Sequence, residues 1–187
     1  YRTVALAAIR KGLKPDEQEA IVTLLPDIEV TMGFVDGEQR VFLNDDDVSE
    51  EIRLPEVSAA ASTVSAIPEV RQFLFDLQRD MAKTNNVLMD GRDIGTVVLP
   101  DARVKIFLTA APEARARRRV LELEQRGTPE PFEKVLREIE ERDWNDSHRA
   151  VAPLRQAEDA VLLDTSEMDL NESLQAMLKI AREGLTQ

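Results

Sequence analysis

Three short runs of unbroken apolarity, "NVLMD", "VKIFLTA" and "AVLLDT", constrain the fold of this 187-residue chain more than any other feature. Continuous rather than alternating apolarity suits strands covered on both faces. The second run leads into the helical sequence "PEARARRRVLELEQRG", and the third leads into "DLNESLQAMLKIAREGL". Between them lies "PFEKVLREIEERDWNDSHR", with Phe132, Val135, Leu136 and Ile139 along one helical face. Strands alternating with helices predict an α/β protein with a parallel sheet flanked by helices.

The remaining segments are read from local signals. "YRTVALAAIRKGLKP" predicts a helix that stops at Gly12. Ile28, Val30, Met32 and Phe34 alternate before Asp36-Gly37, and Val41 and Leu43 follow, which predicts a hairpin around a DG turn. "LPEVSAAASTVSA" and "IPEVRQFLFDLQRDMAK" read as two helices, each with Pro-Glu in its first turn. Val70, Phe73, Leu74, Leu77 and Met81 mark the buried face of the second. Asp169 and Glu172 have the spacing of a reciprocal helix cap. The acidic run "NDDDVSEE" reads as a solvated turn and helix start, with metal binding as the less favoured alternative.

Composition removes several function classes. With 36 acids against 24 bases the formal net charge is -12, which argues against coating a nucleic-acid polymer. Clustered arginines can still make a positive pocket for a small anion. The chain has no cysteine and one histidine, His148, so thiolate metal sites are excluded and a zinc site or a Ser-His-Asp hydrolase is disfavoured. No apolar run approaches the roughly 18 residues of a membrane span. A cytoplasmic protein with no membrane partner and no metal-ligating residues of its own is expected.

In a parallel sheet, ligands bind beyond the carboxyl ends of the strands. The first apolar run ends there in Asp90, Gly91, Arg92 and Asp93. A turn held by aspartate side chains is one reading, but a turn has no need of Arg92. Arg115, Arg118 and Arg119 share a helical face as i, i+3 and i+4. A solvated helix pairing with Glu113 and Glu122 explains them as simply as an anion clamp does. Arg142, Asp146 and Arg149 recur at i, i+4 and i+7, and surface ion pairs are again the plain alternative. Ser62 among alanines and Arg71 beside an apolar stripe are unremarkable by themselves.

Taken in order, "YR", "IRLPEV", "AAAS", "IPEVR", "DGRDIGTVVLPDARVKIFLTA", "RRR", "REIEERD", "DSHRAVAPL" and "DAVLLDTS" resemble bacterial cytidylate kinase over essentially the whole chain. The resemblance implies a P-loop nucleoside monophosphate kinase fold that moves a phosphoryl group from ATP to CMP or dCMP with Mg2+. It implies that Ser62 and Asp93 face the cytosine amine and Arg71 the ring acceptors. It places Arg2, Arg92 and Arg149 at the CMP phosphate and Asp146 at the sugar hydroxyls. Arg115, Arg118, Arg119 and Arg142 would line a lid and neutralise the phosphoryl group in transfer. The implied domains are a core of 1–26 and 67–187, a lid at about 115–149, and a nucleotide-binding insert at 27–66. A monomer is expected.

The family's phosphate cradle, G-x-x-x-x-G-K-S/T, does not occur in the sequence; its seven glycines are isolated and no Gly-Lys pair is present. The resemblance would place an opening strand and that loop before Tyr1. A chain without them is expected to have little or no kinase activity alone. A non-catalytic CMP-binding or interaction module is therefore the alternative, and a UMP or AMP kinase is disfavoured by Ser62, Arg71 and Asp93.

Overall fold

The local signals become structure where the chain can satisfy its own backbone nearby. The computed structural model describes residues 1–186 and divides into two units, Tyr1–Val87 and a second that begins at Leu88.

In the first unit, α1 (Arg2–Arg10) ends at Gly12, whose φ is 73°. The Gly12 amide donates to the Ile9 carbonyl at 2.8 Å and the Leu13 amide to the Ala8 carbonyl at 3.0 Å. This is the Schellman pattern, and the left-handed residue it needs is cheapest as glycine. Helix α2 (Gln18–Leu24) leads to the predicted hairpin of β1 (Val30–Val35) and β2 (Glu38–Leu43). Val35 pairs with Glu38 across the turn, and Asp36 and Gly37 have φ of 53° and 81°, as a type I′ turn requires. The short β3 (Asp46–Asp47) extends this antiparallel sheet.

Helices α3 (Pro55–Val64) and α4 (Pro68–Thr84) complete the unit. Val4, Ile21, Val48, Val57, Val64 and Val70 are fully buried in its core. Of the predicted α4 face, Val70 and Leu74 are buried, and Phe73 and Leu77 pack against the same core. The hairpin alternation holds only at its root. Ile28 and Leu43 are buried, whereas Phe34 near the turn is 79% exposed.

In the second unit, β4 (Ile106–Thr109) and β5 (Val161–Asp164) form the expected parallel pair, in register Ile106 with Val161. Helices α5 (Pro112–Gln125) and α6 (Phe132–His148) pack together through Ala116, Val120, Leu123, Phe132, Val135, Leu136 and Ile139. Helix α7 (Leu170–Thr186) opens with the predicted cap: the Glu172 amide donates to Asp169 at 2.7 Å and the Asp169 amide to Glu172 at 2.8 Å.

Two expectations are corrected. The run "NVLMD" is not a strand, and Leu88 within it is 94% exposed. An extended segment becomes a strand only when a neighbour completes its ladder, and no strand among the described residues pairs with it. The two remaining runs are not covered on both faces either: Leu108, Val161 and Leu162 are exposed. Among the described residues, no helix is long and apolar enough to cross a membrane.

Candidate nucleotide site

The residues of "DGRD" are followed by one π-type turn, Ile94–Val98, in which the Leu99 amide donates to the Ile94 carbonyl at 2.7 Å. The carbonyl of Asp93 receives the Val97 amide at 2.9 Å, so the turn grips the backbone of this aspartate. Gly91 leaves room for its neighbour, because a Cβ there would lie 2.8 Å from Ile94 Cγ1 and force that side chain to shift. The local fold thereby sends Arg92 and Asp93 into a charge cluster.

Arg92 donates from Nε to Asp146 Oδ2 at 2.9 Å, and Arg142 approaches the same oxygen at 3.8 Å. Arg149 lies 3.7 Å from Asp93 and donates from Nε to the Ala152 carbonyl at 2.7 Å. Ala152 has a φ of 47°, a conformation rarely adopted outside glycine. The segment carrying it is drawn back to the helix end, because the Leu154 amide donates to the Asp146 carbonyl at 2.8 Å. Asp93 and Asp146 are buried, at 5% exposure each. Burying a carboxyl away from water is costly unless it finds partners, and these arginines are the partners.

The cluster joins three arginines to two aspartates, an excess of one positive charge. Arg92 is half-exposed, and its two terminal nitrogens donate to no protein group among the described residues. A guanidinium aimed in this way by Asp146 has the geometry to receive a small anion.

The other predicted arginines of this unit do not gather on one open face. Arg115 forms a two-pronged pair with Asp143 of α6 and donates from Nε to the Ala110 carbonyl at 3.0 Å. The side-chain hydrogen bonding to Asp143 raises the guanidinium pKa above its already high value. Arg118 donates to the carbonyls of Thr165 and Met168. Arg119 pairs with Glu122 at 2.7 Å, one of the partners expected of a solvated helix. Asp143 was invisible to sequence reasoning as a partner of Arg115, since 28 positions separate them.

In the first unit, Arg71 is buried and donates from Nη1 to the Ser65 carbonyl at 3.1 Å. Its guanidinium carbon lies 5.6 Å from the centroid of the Tyr1 ring, within cation–π range. The Ser62 carbonyl receives the Ser65 hydroxyl at 2.8 Å, while the hydroxyl of Ser62 has no partner among the described residues. Arg2 donates from Nη1 to the Ile52 carbonyl at 2.9 Å and to Ser58 Oγ at 2.6 Å. Ser58 was not anticipated; its one signal is its place a helical turn before Ser62.

The acidic run is committed to ion pairs and a turn. Asp46 and Glu51 both receive Arg10, and Asp47 accepts from the amide and hydroxyl of Ser49. Those bonds hold the Asp47 carboxyl below its usual pKa.

The model of the family described as cytidylate kinase matches residues 1–183. A cytidylate kinase of Caldicellulosiruptor bescii is 48% identical over 180 residues, covering 96% of this chain and 80% of that protein. One of Salmonella typhimurium is 45% identical over 99% of this chain and 82% of its own length. One of Leuconostoc mesenteroides is 44% identical over 100% of this chain and 83% of its own length. A match of that extent over an α/β unit with a parallel strand pair leaves one assignment: the chain belongs to the cytidylate kinase family.

Proposed function

We propose that this protein directs a phosphate oxygen of CMP or dCMP onto the γ-phosphorus of ATP, giving CDP or dCDP and ADP. The observation that carries this reading is the cluster of Arg92, Arg142 and Arg149 around the buried Asp93 and Asp146. It is built for a small ligand that is anionic at one end and polar elsewhere. The non-catalytic alternative is not favoured, because relatives matching nearly all of this chain are named as kinases.

In this assignment Arg2, Arg92 and Arg149 hold the monophosphate, and Asp146 orients Arg92 and accepts from the sugar hydroxyls. Ser62 and Asp93 recognise the cytosine amine, and Arg71 donates to the ring acceptors. The attacking phosphate oxygen is already ionised near neutral pH, so no general base is needed. One O–P bond forms at the γ-phosphorus as its bond to ADP breaks, and the protein contributes position and positive charge. Arg115, Arg118, Arg119 and Arg142 are assigned to that charge. His148 stacks on Trp144 with ring centroids 4.5 Å apart and takes no part.

Mg2+ is the expected companion of ATP and would screen its phosphate charge. Among the described residues no group of three carboxylates or imidazoles could hold a metal, and Asp93 and Asp146 are engaged by arginines. No residue is therefore assigned to the ion. The domain reading (core 1–26 and 67–187, insert 27–66, lid about 115–149), a monomer and a cytoplasmic setting complete the proposal.

A coupled assay and calorimetry with CMP, dCMP, UMP and AMP test it. CMP is expected to be bound more tightly than UMP, by up to about 10⁴-fold, because uracil turns an oxygen toward Asp93 and leaves buried polar groups unpaired. Asp93→Ala is expected to remove most of that ratio. Equal affinity for CMP and UMP would end the cytosine assignment.

A further inference from the structure

Arg2 stands at the start of α1 with an exposed side chain, yet half of its guanidinium is fixed. Both hydrogens of Nη1 are used, one by the Ile52 carbonyl at 2.9 Å and one by Ser58 Oγ at 2.6 Å. Nε and Nη2 donate to no protein group among the described residues. Those two nitrogens form the side edge of the guanidinium, whose parallel N–H bonds match two oxygens of a phosphate. An unrestrained arginine would lose rotamer freedom on binding, whereas one clamped through Nη1 has lost part of it beforehand.

The clamp belongs to two elements. Ile52 lies in the 3-10 turn Glu51–Arg53, and its carbonyl cannot be altered by substitution. Ser58 lies on α3, half-buried, one turn before Ser62 on the same face. The rise between them is about 6 Å, so one rigid helix carries both Ser62 and the serine that sets Arg2.

We propose that Ser58 is a positioning residue: it fixes the rotation of the Arg2 guanidinium so that the Nε–Nη2 edge faces the phosphate of the nucleoside monophosphate. This rests on the assignment of Arg2 to that phosphate. Ser58 itself touches no substrate, and its effect is confined to the phosphate end of the ligand.

Calorimetric titration of the whole protein with CMP and with cytidine separates this role from a structural one. Ser58→Ala is expected to weaken CMP about fivefold, with cytidine unchanged within about twofold, the loss of one hydrogen bond's net worth. Ser58→Thr keeps the hydroxyl and is expected to retain the CMP affinity. Arg2→Met tests the underlying assignment and is expected to weaken CMP by more than Ser58→Ala, again sparing cytidine. If Arg2→Met weakens CMP while Ser58→Ala does not, the positioning role is overturned and the Arg2 assignment stands. If Ser58→Ala weakens CMP and cytidine alike, Ser58 merely supports α3 and the proposal also fails. If Arg2→Met leaves CMP binding intact, the assignment of Arg2 is the part that is wrong.

Discussion

The first unit and the α5–α6 pair hold themselves together by different means. The first surrounds a continuous aliphatic core, with Val4, Ile21, Val48, Val57, Val64 and Val70 shut off from water. The helix pair has as its apolar cluster Ala116, Leu123 and Val135, with a fringe of partly covered neighbours. It is instead crossed by charge: Arg115 with Asp143 between the helices, and Glu122 with Arg119 and Arg126 along α5. Apolar burial acts without direction and is insensitive to salt, whereas partly exposed ion pairs contribute little and are screened. The helix pair is thus held by fewer apolar contacts and more salt-sensitive ones than the first unit.

The sharpest test of that contrast is in the aliphatic core. Ile21→Ala removes a fully buried side chain and is expected to cost about 2–5 kcal/mol in urea unfolding. Leu123→Ala, in the thinner core of the helix pair, is expected to cost less because its surroundings can collapse or hydrate. Equal losses at the two positions would mean that the helix pair is as tightly built as the first unit.

How far these regions could be read from sequence follows the reach of their determinants. The stop at Gly12, the Asp36-Gly37 turn and the Asp169–Glu172 cap are made by residues within a few positions, and each appeared as expected. The apolar run "NVLMD" failed because apolarity states a preference for burial and does not supply a neighbouring strand. Phe34 failed for a similar reason: alternation gives a strand its two faces, but here the core reaches only the root of the hairpin. The arginines drew notice by their spacing, yet most of their partners lay beyond its reach. Arg92 meets Asp146 across 54 positions and Arg118 meets Thr165 across 47, and no periodicity within a helix carries that information.

A smaller effect is expected at the bracket between the helices. Asp143→Ala removes both carboxylate acceptors of Arg115, and each side chain of the pair is 34% exposed. Discounted for solvent, the loss is about 1 kcal/mol. It should appear as faster amide exchange in α5 and α6, with amides of α1 and α3 unaltered. Exchange that quickens equally in both units would break the comparison, because it would show the bracket serving the whole molecule.

The smallest effect expected is also the most specific in sign. Hydrogen bonding to Arg119, helped by the charge of Arg126, holds the Glu122 carboxyl below its ordinary pKa of 4.5. A carboxyl depressed in the folded state contributes stability above its unfolded pKa, and loses it as pH falls through the folded value. Acidification from pH 5 toward pH 3, on the order of the carboxylate range, should therefore loosen α5 in proportion to Glu122 protonation. Glu122→Gln mimics the protonated form, so it should flatten that response and lose the same small increment of stability at neutral pH. Added salt near 1 M, where screening reaches about 3 Å, should likewise blunt the difference between wild type and variant. The aliphatic core has no carboxyl to protonate, so the exchange of its central amides should hold steady until the whole unit gives way. Were the core amides to respond first, the division between an apolar body and an ion-paired helix hairpin would have to be abandoned.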